Sequence, residues 1–105
     1  MLELGCFYTI DELARAHAEA GGHWFDPSAR RFFRCRLSSE VVPVSDGWLF
    51  VSSEQFVSSR GRADRRRYTV RKMTPDTDVL TVGEFQQYAS WSGACKAMRR
   101  LAREG

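Results

Sequence analysis

The spacing of apolar residues along this chain changes from a helical period to a strand period and back again. The first helical stripe consists of Ile10, Leu13, Ala14, His17 and Ala20. Residues 33–37 then alternate between apolar and arginine side chains, which is typical of a strand with one buried face. Helical spacing returns from Trp91 to Ala102. A chain with helices at both ends and strands between them is predicted to be α+β.

The first helix has clear start and stop signals. Thr9 and Glu12 form a capping-box sequence, in which each side chain can satisfy an amide at the start of a helix. Gly21 and Gly22 follow the apolar stripe, and glycine is the residue that ends helices at least cost. We therefore predict a helix over about residues 10–20.

Several short segments between the helices are predicted to form strands. Residues 33–37 give the first, and residues 41–44 give an edge strand, because Pro43 cannot donate a hydrogen bond to a ladder. Asp46-Gly47 predicts a tight turn into residues 48–51, and so a hairpin. Residues 67–71 predict a further strand, and residues 78–81 predict a short additional one.

The remaining pattern completes the predicted fold. Thr81 and Glu84 resemble a second capping box, which predicts a short helix through Phe85 and Tyr88. In the last helix, the apolar stripe that includes Met98 should dock on the sheet. We predict a single domain over residues 1–105, in which an N-terminal and a C-terminal helix pack on one face of a small antiparallel sheet of three to four strands.

Composition and cysteine usage limit the class of protein. A chain of 105 residues with 43% hydrophobic and 12% aromatic residues can form one ordered core. It lacks an apolar run of roughly 20 residues, and its first residues lack a signal-peptide pattern, so we predict a cytoplasmic protein without membrane contact. Cys6, Cys35 and Cys95 are predicted to be free thiols, with Cys35 and Cys95 buried and Cys6 more exposed.

Sequence motifs for catalysis or metal binding are lacking. His17 and His23 have no cysteine or carboxylate at a spacing typical of zinc. Residues 76–78 resemble a fragment of a calcium loop but lack its glycine and its distal glutamate. No Gly-x-Ser-x-Gly elbow or phosphate-binding glycine loop occurs. We therefore predict no catalytic residues, no metal site, no cofactor and no enzyme activity.

Positive charge is concentrated in residues 60–72, which we call the basic arm. Its cations are Arg60, Arg62, Arg65, Arg66, Arg67, Arg71 and Lys72. Residues 58–65 have little apolar content, so we predict a mobile loop. The arm can be interpreted as a phosphate-binding surface, as a surface for an acidic protein, or as a solvated loop and strand edge.

The aromatic residues suggest a second candidate surface. If Phe32 shares a face with Arg34 and Arg36, the three form an aromatic and arginine patch of the composition enriched at interfaces. If the sheet is covered on both faces, Phe32 is buried instead. The other large aromatic residues, Trp24, Phe25, Trp48, Phe50, Phe85, Tyr88 and Trp91, are predicted to lie in the core.

Several segments together resemble a group of small bacteriophage and prophage proteins of unknown function. The similar segments are residues 22–25, 31–33, 48–54, 67–71 and 83–88, followed by Ala94 and Leu101-Ala102. They cover most of the chain from about residue 22 onward. The resemblance implies that this protein, like many small phage proteins, binds and inhibits a host protein, including components of CRISPR and other defence systems.

These observations give two hypotheses for function. The first is a non-enzymatic, phage-type interaction protein that binds and inhibits a host macromolecule, such as a CRISPR-Cas component. Its partner would be a host protein or ribonucleoprotein complex. The alternative is a small nucleic-acid-binding accessory domain that uses the Arg60 to Lys72 arm. Either protein could be a monomer or a homodimer.

Overall fold

In the computed structural model, two helices and five strands form an α+β fold, and the structure describes residues 2–28, 35–57 and 60–104. Helix α1 spans Ile10–Glu19 and helix α2 spans Trp91–Glu104. The strands are β1 (Arg36–Leu37), β2 (Val42–Val44), β3 (Gly47–Glu54), β4 (Arg67–Met73) and β5 (Val79–Val82). Neither helix has the length and apolar content needed to cross a membrane, as far as the described residues go.

Helix α1 begins with the predicted capping box. The Glu12 amide donates to Thr9 Oγ1 over 3.3 Å, and the Thr9 amide donates to Glu12 Oε1 over 3.2 Å. The Thr9 hydroxyl also bonds Glu12, and this bond lowers the pKa of the Glu12 carboxyl. The helix ends at Glu19, ahead of Gly21, whose positive φ of 90° suits glycine. The sequence prediction for this helix is confirmed.

The sheet is antiparallel and has five strands rather than the three to four that we predicted. Its order is β1-β3-β4-β5, and β2 pairs with β3 on the same side as β1. The edge beside β3 is thus made of two short strands, with β1 opposite Ser52–Ser53 and β2 opposite the start of β3. Pro43 lies in this edge, as predicted from its missing donor.

Ser38 fills the gap between the two edge strands. Its amide donates to the Val51 carbonyl over 2.8 Å, and its Oγ accepts from the Val51 amide over 3.0 Å. The Ser38 hydroxyl donates in turn to the Glu40 carbonyl. The Ser38 hydroxyl therefore accepts the hydrogen bond that a backbone carbonyl of an edge strand would otherwise accept. The buried Val51 amide keeps a partner although the chain leaves the sheet between β1 and β2.

The two helices cover opposite faces of the sheet. Leu13 of α1 packs with Trp48, Phe50 and Met73 in one buried cluster, which marks the α1 face. Ala94, Ala97 and Met98 of α2 pack with Leu49, Val51 and Val70 in a second cluster, which marks the α2 face. Successive residues of β3 alternate between these clusters, as the strand period of two requires.

This arrangement corrects the prediction that both helices lie on one face. The central part of β3, including Leu49, Phe50 and Val51, is buried on both sides. Such a strand reads as a continuous apolar run rather than as an alternating pattern. The run Trp48-Leu49-Phe50-Val51 was the sequence signal for two covered faces.

Residues 83–90 differ from their prediction. They form bends and turns, and no helix runs through Phe85 and Tyr88. Thr81 belongs to β5 instead of capping a helix, and Gln86 has a positive φ of 58°. Tyr88 instead forms an isolated bridge with Tyr68, with both backbone hydrogen bonds present. The segment therefore runs back along β4.

The cysteines follow their predictions only in part. Cys6 is exposed, as predicted, but Cys35 and Cys95 are half-buried rather than buried. Partial burial raises the pKa of the Cys95 thiol above its usual range. All three cysteines are free thiols.

Candidate macromolecule-binding surface

At least four of the seven cations predicted for the basic arm are bound within the fold. Arg66 Nη1 donates to the Ser53 carbonyl over 3.2 Å and to Ser53 Oγ over 2.9 Å. Lys72 Nζ contacts Asp46 Oδ2 at 2.7 Å, and this hydrogen bond lowers the pKa of the Asp46 carboxyl. These two side chains bond groups of the protein itself. They are therefore less available to a ligand than the sequence suggests.

Arg67 fastens the segment that follows β5. Its Nε donates to the Gln86 carbonyl over 2.8 Å, and its Nη2 donates to the Gln87 carbonyl over 3.2 Å. The Gln86 amide donates to Thr69 Oγ1 over 2.8 Å, and the Gln86 side chain reaches the Glu54 carbonyl. These bonds hold residues 86 and 87 beside β4, with the Gln86 amide bonded to Thr69.

Arg71 lies at the centre of a buried polar network on the α1 face. Its Nη2 contacts Glu54 Oε1 at 3.1 Å, and only 12% of the Arg71 side chain and 3% of the Glu54 side chain are exposed. Arg71 also donates to Ser52 Oγ over 3.0 Å and to Thr81 Oγ1 over 2.6 Å. Ser52 and Thr69 each donate to Glu54. The two charges are therefore paired and hydrogen-bonded, as buried charges must be.

Two aromatic rings lie against the Arg71 guanidinium. Its Cζ is 5.6 Å from the ring centroid of Trp24 and 5.3 Å from that of Phe85. Both distances fall within the range of a cation–π contact. The Phe85 ring therefore packs on the Arg71 guanidinium, which is itself fixed by its bonds to Glu54 and Ser52.

Trp24 is positioned by His17, which is buried in α1. The Trp24 amide donates to His17 Nε2 over 3.1 Å, and the His17 ring meets Phe25 edge to face at 5.1 Å. Burial lowers the pKa of His17, which favours the neutral ring that this acceptor role needs. A Cβ at Gly22 would overlap the His17 ring, so the close approach requires glycine.

Phe56 and Phe85 form an exposed pair of rings, which we call the Phe56–Phe85 patch. Their centroids are 6.3 Å apart with an interplanar angle of 80°, and the residues are 37% and 44% exposed. This edge-to-face geometry is favourable for aromatic pairs. The core prediction for Phe85 was therefore wrong, and Trp91 is likewise exposed although its ring contacts Tyr68.

The start of the basic arm lies beside this patch. The Asp64 amide donates to the Phe56 carbonyl over 2.8 Å, and Gln55 Nε2 donates to the Asp64 carbonyl over 3.0 Å. Val57 and Ala63 form an isolated antiparallel bridge. The start of the arm therefore pairs with residues 55–57, which directly follow β3, and Arg60, Arg62 and Arg65 are exposed along it.

Of the second predicted patch, which consists of Phe32, Arg34 and Arg36, the structure describes one residue. Arg36 is exposed in β1, whereas Phe32 and Arg34 lie outside the described residues. Sequence reasoning missed the patch that the fold does assemble, since Phe56 and Phe85 are 29 positions apart and no local pattern joins them. The one signal available was an apolar pair, Phe56-Val57, directly beyond the polar end of β3.

The sequence predicts no metal site at the histidines or in the acidic turn at residues 76–78. His23 is exposed and its Nδ1 lies 3.1 Å from Asp26 Oδ2. Within residues 2–28, 35–57 and 60–104, there is no group of three histidine, cysteine or acidic side chains that could hold a metal ion. Asp76 and Asp78 lie at the turn between β4 and β5, where Thr77 has a positive φ of 71°.

Comparison with known protein families identifies a match over most of the chain. A protein-family model matches residues 9–99, and its description is a family of unknown function. The match begins at the capping residue of α1 and ends within α2, so it includes α1, all five strands and the first part of α2. No curated protein and no solved structure matches the chain.

Proposed function

The chain belongs to the family of unknown function DUF7447, and we propose that it is a non-enzymatic interaction protein that binds and inhibits a macromolecule of a bacterial host. The observation that carries this proposal is the exposed Phe56–Phe85 patch with the arginines of the basic arm beside it. Aromatic and arginine side chains are the types enriched where protein interfaces gain most of their energy.

The patch is also built to bind at low entropic cost. Phe85 rests on the Arg71 guanidinium, and its chain segment is fastened by the two bonds from Arg67. Phe56 is fixed through its carbonyl and through its ring contact with Phe85. A rigid aromatic anchor loses little freedom on binding, so more of its burial appears as affinity.

The identity of the partner is proposed from the resemblance to phage and prophage proteins. A small phage protein acts inside the host cell, so a cytoplasmic location and a host protein or ribonucleoprotein partner follow from that resemblance. The most concrete version is an anti-defence protein that inhibits a CRISPR-Cas component. The net charge of +3 and the exposed arginines favour an acidic or nucleic-acid-bearing surface on that partner.

Nucleic-acid binding through the basic arm is the second candidate function. Exposed Arg60 and Arg65 favour it, since phosphate contacts need accessible cations. Arg66, Arg67, Arg71 and Lys72 already bond groups of the protein itself. The arm therefore offers fewer phosphate contacts than its seven cations suggest, and this candidate ranks second.

Affinity capture from a nuclease-treated bacterial host lysate tests the proposal. The parent chain is compared with a Phe56→Ala, Phe85→Ala double variant and with Tyr8→Ala, which removes an aromatic ring that is 63% exposed elsewhere. We expect the captured protein to be lost by more than tenfold in the double variant and retained by Tyr8→Ala, because only the first removes anchor rings. Equal capture by all three chains would exclude the patch as the binding surface.

A further inference from the structure

We propose that the outward face of helix α2 is a docking surface for the phosphate backbone of nucleic acid, which goes beyond the protein-binding function above. Lys96, Arg99, Arg100 and Arg103 are all exposed on this helix. At about 100° of rotation per residue, the four side chains fall within roughly 100° of the helix circumference. They lie opposite Ala94 and Met98, which are buried against the sheet.

The charge of this face is large for the size of the molecule. Helix α2 holds four cations and a single carboxylate, Glu104, so its net charge of +3 equals the formal net charge of the whole chain. Lys96 and Arg100 are four residues apart, as are Arg99 and Arg103, so like charges are neighbours on the helix surface. A face that only keeps a protein solvated usually mixes both signs, which would remove this repulsion.

Three of these cations are open to a ligand. Arg99 Nη2 lies 3.0 Å from Glu40 Oε2, which partly neutralises it. Lys96, Arg100 and Arg103 have no ion pair within the part of the chain that the structure describes. Lys96 and Arg103 are seven residues apart, or about 10 Å along the helix, a length that spans several phosphates of one strand.

The composition of this face favours nucleic acid over an acidic protein. Only Ser92 shares the arc with the cations, and the buried residues of α2, which are Ala94, Ala97 and Met98, pack on the sheet. Protein interfaces have an apolar centre, whereas nucleic-acid interfaces are polar and strongly positive. The Phe56–Phe85 patch has the apolar centre of a protein interface and lies on the α1 side, where Phe85 packs on Arg71. The α2 face is polar and strongly positive, as nucleic-acid interfaces are, and it lies on the opposite side of the sheet.

The test is the salt dependence of binding to a fluorescent 20-base-pair DNA duplex, followed by anisotropy. Three phosphate contacts predict a slope of about −2.7 in log K against log salt, or about a 40-fold loss between 50 and 200 mM salt. The variant Lys96→Gln, Arg100→Gln, Arg103→Gln should reduce that loss to under about threefold. Its fold is checked by circular dichroism, and glutamine is a good helix former.

A control variant removes the same charge elsewhere. Arg15→Gln, Ala18→Glu, Arg36→Gln lowers the net charge by the same three units at exposed positions outside both α2 and the basic arm, and it should keep most of the parent slope. Equal losses in the two triple variants would mean that net charge alone attracts DNA, and would overturn the proposal. It would also be overturned if the parent did not bind the duplex at 50 mM salt, or if polyglutamate bound the parent more tightly than the duplex did. Each of these results leaves the Phe56–Phe85 proposal untouched, because both rings are unchanged in every variant.

Discussion

Replacing Arg71 with methionine removes one partner of a buried ion pair and leaves the other in place. Glu54 would stay buried, with 3% of its side chain exposed, and it would retain only hydroxyl donors. Ser52 and Thr81 would each lose the guanidinium that now bonds them. Phe85 would lose the cation beneath its ring.

The size of the effect follows from this burial. Breaking a buried pair on one side costs about 3–5 kcal/mol, because an uncompensated charge remains. Replacing both members removes the charge as well, so Glu54→Met, Arg71→Met should be less destabilising than the sum of the two single changes, by about 2 kcal/mol or more. Lys72→Met provides a matched control, since the Asp46 carboxylate that it leaves is 66% exposed and such pairs contribute about 0–1 kcal/mol.

Urea unfolding followed by tryptophan fluorescence measures the parent, the Arg71→Met and Glu54→Met single variants, the double variant and Lys72→Met. We expect the midpoint to fall most in Arg71→Met, to recover in part in the double variant, and to change little in Lys72→Met. If Arg71→Met cost less than about 1 kcal/mol, the network would be behaving as a surface ion pair. The argument that Arg71 fixes Phe85 would then fail.

Three further predictions concern stability. Met98→Ala should cost about 2–5 kcal/mol in urea unfolding, because this fully buried side chain docks α2 on the sheet, and a cost below about 0.5 kcal/mol would contradict that docking. Ser38→Ala should cost about 1–3 kcal/mol by the same measurement, because it leaves the buried Val51 amide without its acceptor, and an unchanged midpoint would contradict this role. Stability should be full above the ordinary histidine pKa near 6.5 and should fall as the pH drops below it, because the unfolded chain takes up a proton that His17 in the fold resists. Thermal unfolding between pH 7.5 and 5 measures this change, which should be smaller in His17→Gln, and an equal change in that variant would contradict the assignment.

The parts of the fold that depend on neighbouring residues could be predicted from sequence. Thr9 and Glu12 are three positions apart, and their reciprocal hydrogen bonds form wherever a helix starts there. Asp46-Gly47 likewise marks the turn into β3, whatever the rest of the sheet does. The resulting α+β class, with an N-terminal and a C-terminal helix packed on an antiparallel sheet, is confirmed.

The parts that depend on distant partners could not be predicted. Thr81 and Glu84 have the spacing of a capping box, but pairing with β4 draws Thr81 into β5 and its hydroxyl binds Arg71. Tertiary pairing therefore overrides a local signal of moderate strength. The same holds for the basic arm, where Arg66 and Arg71 bond residues that are 10 to 19 positions away. A run of arginines shows charge in the sequence but does not show which guanidinium groups are already bound.

The central claim is that the Phe56–Phe85 patch contacts a host protein, and site-specific photo-crosslinking tests it most directly. A photoreactive phenylalanine analogue is placed at Phe85, and in a matched control at Tyr8, which is exposed outside the patch. After irradiation in host lysate, position 85 should give one discrete crosslinked protein that persists after nuclease treatment, and position 8 should not give it. The claim would be contradicted by identical products from both positions, by no product from position 85, or by a product that nuclease removes.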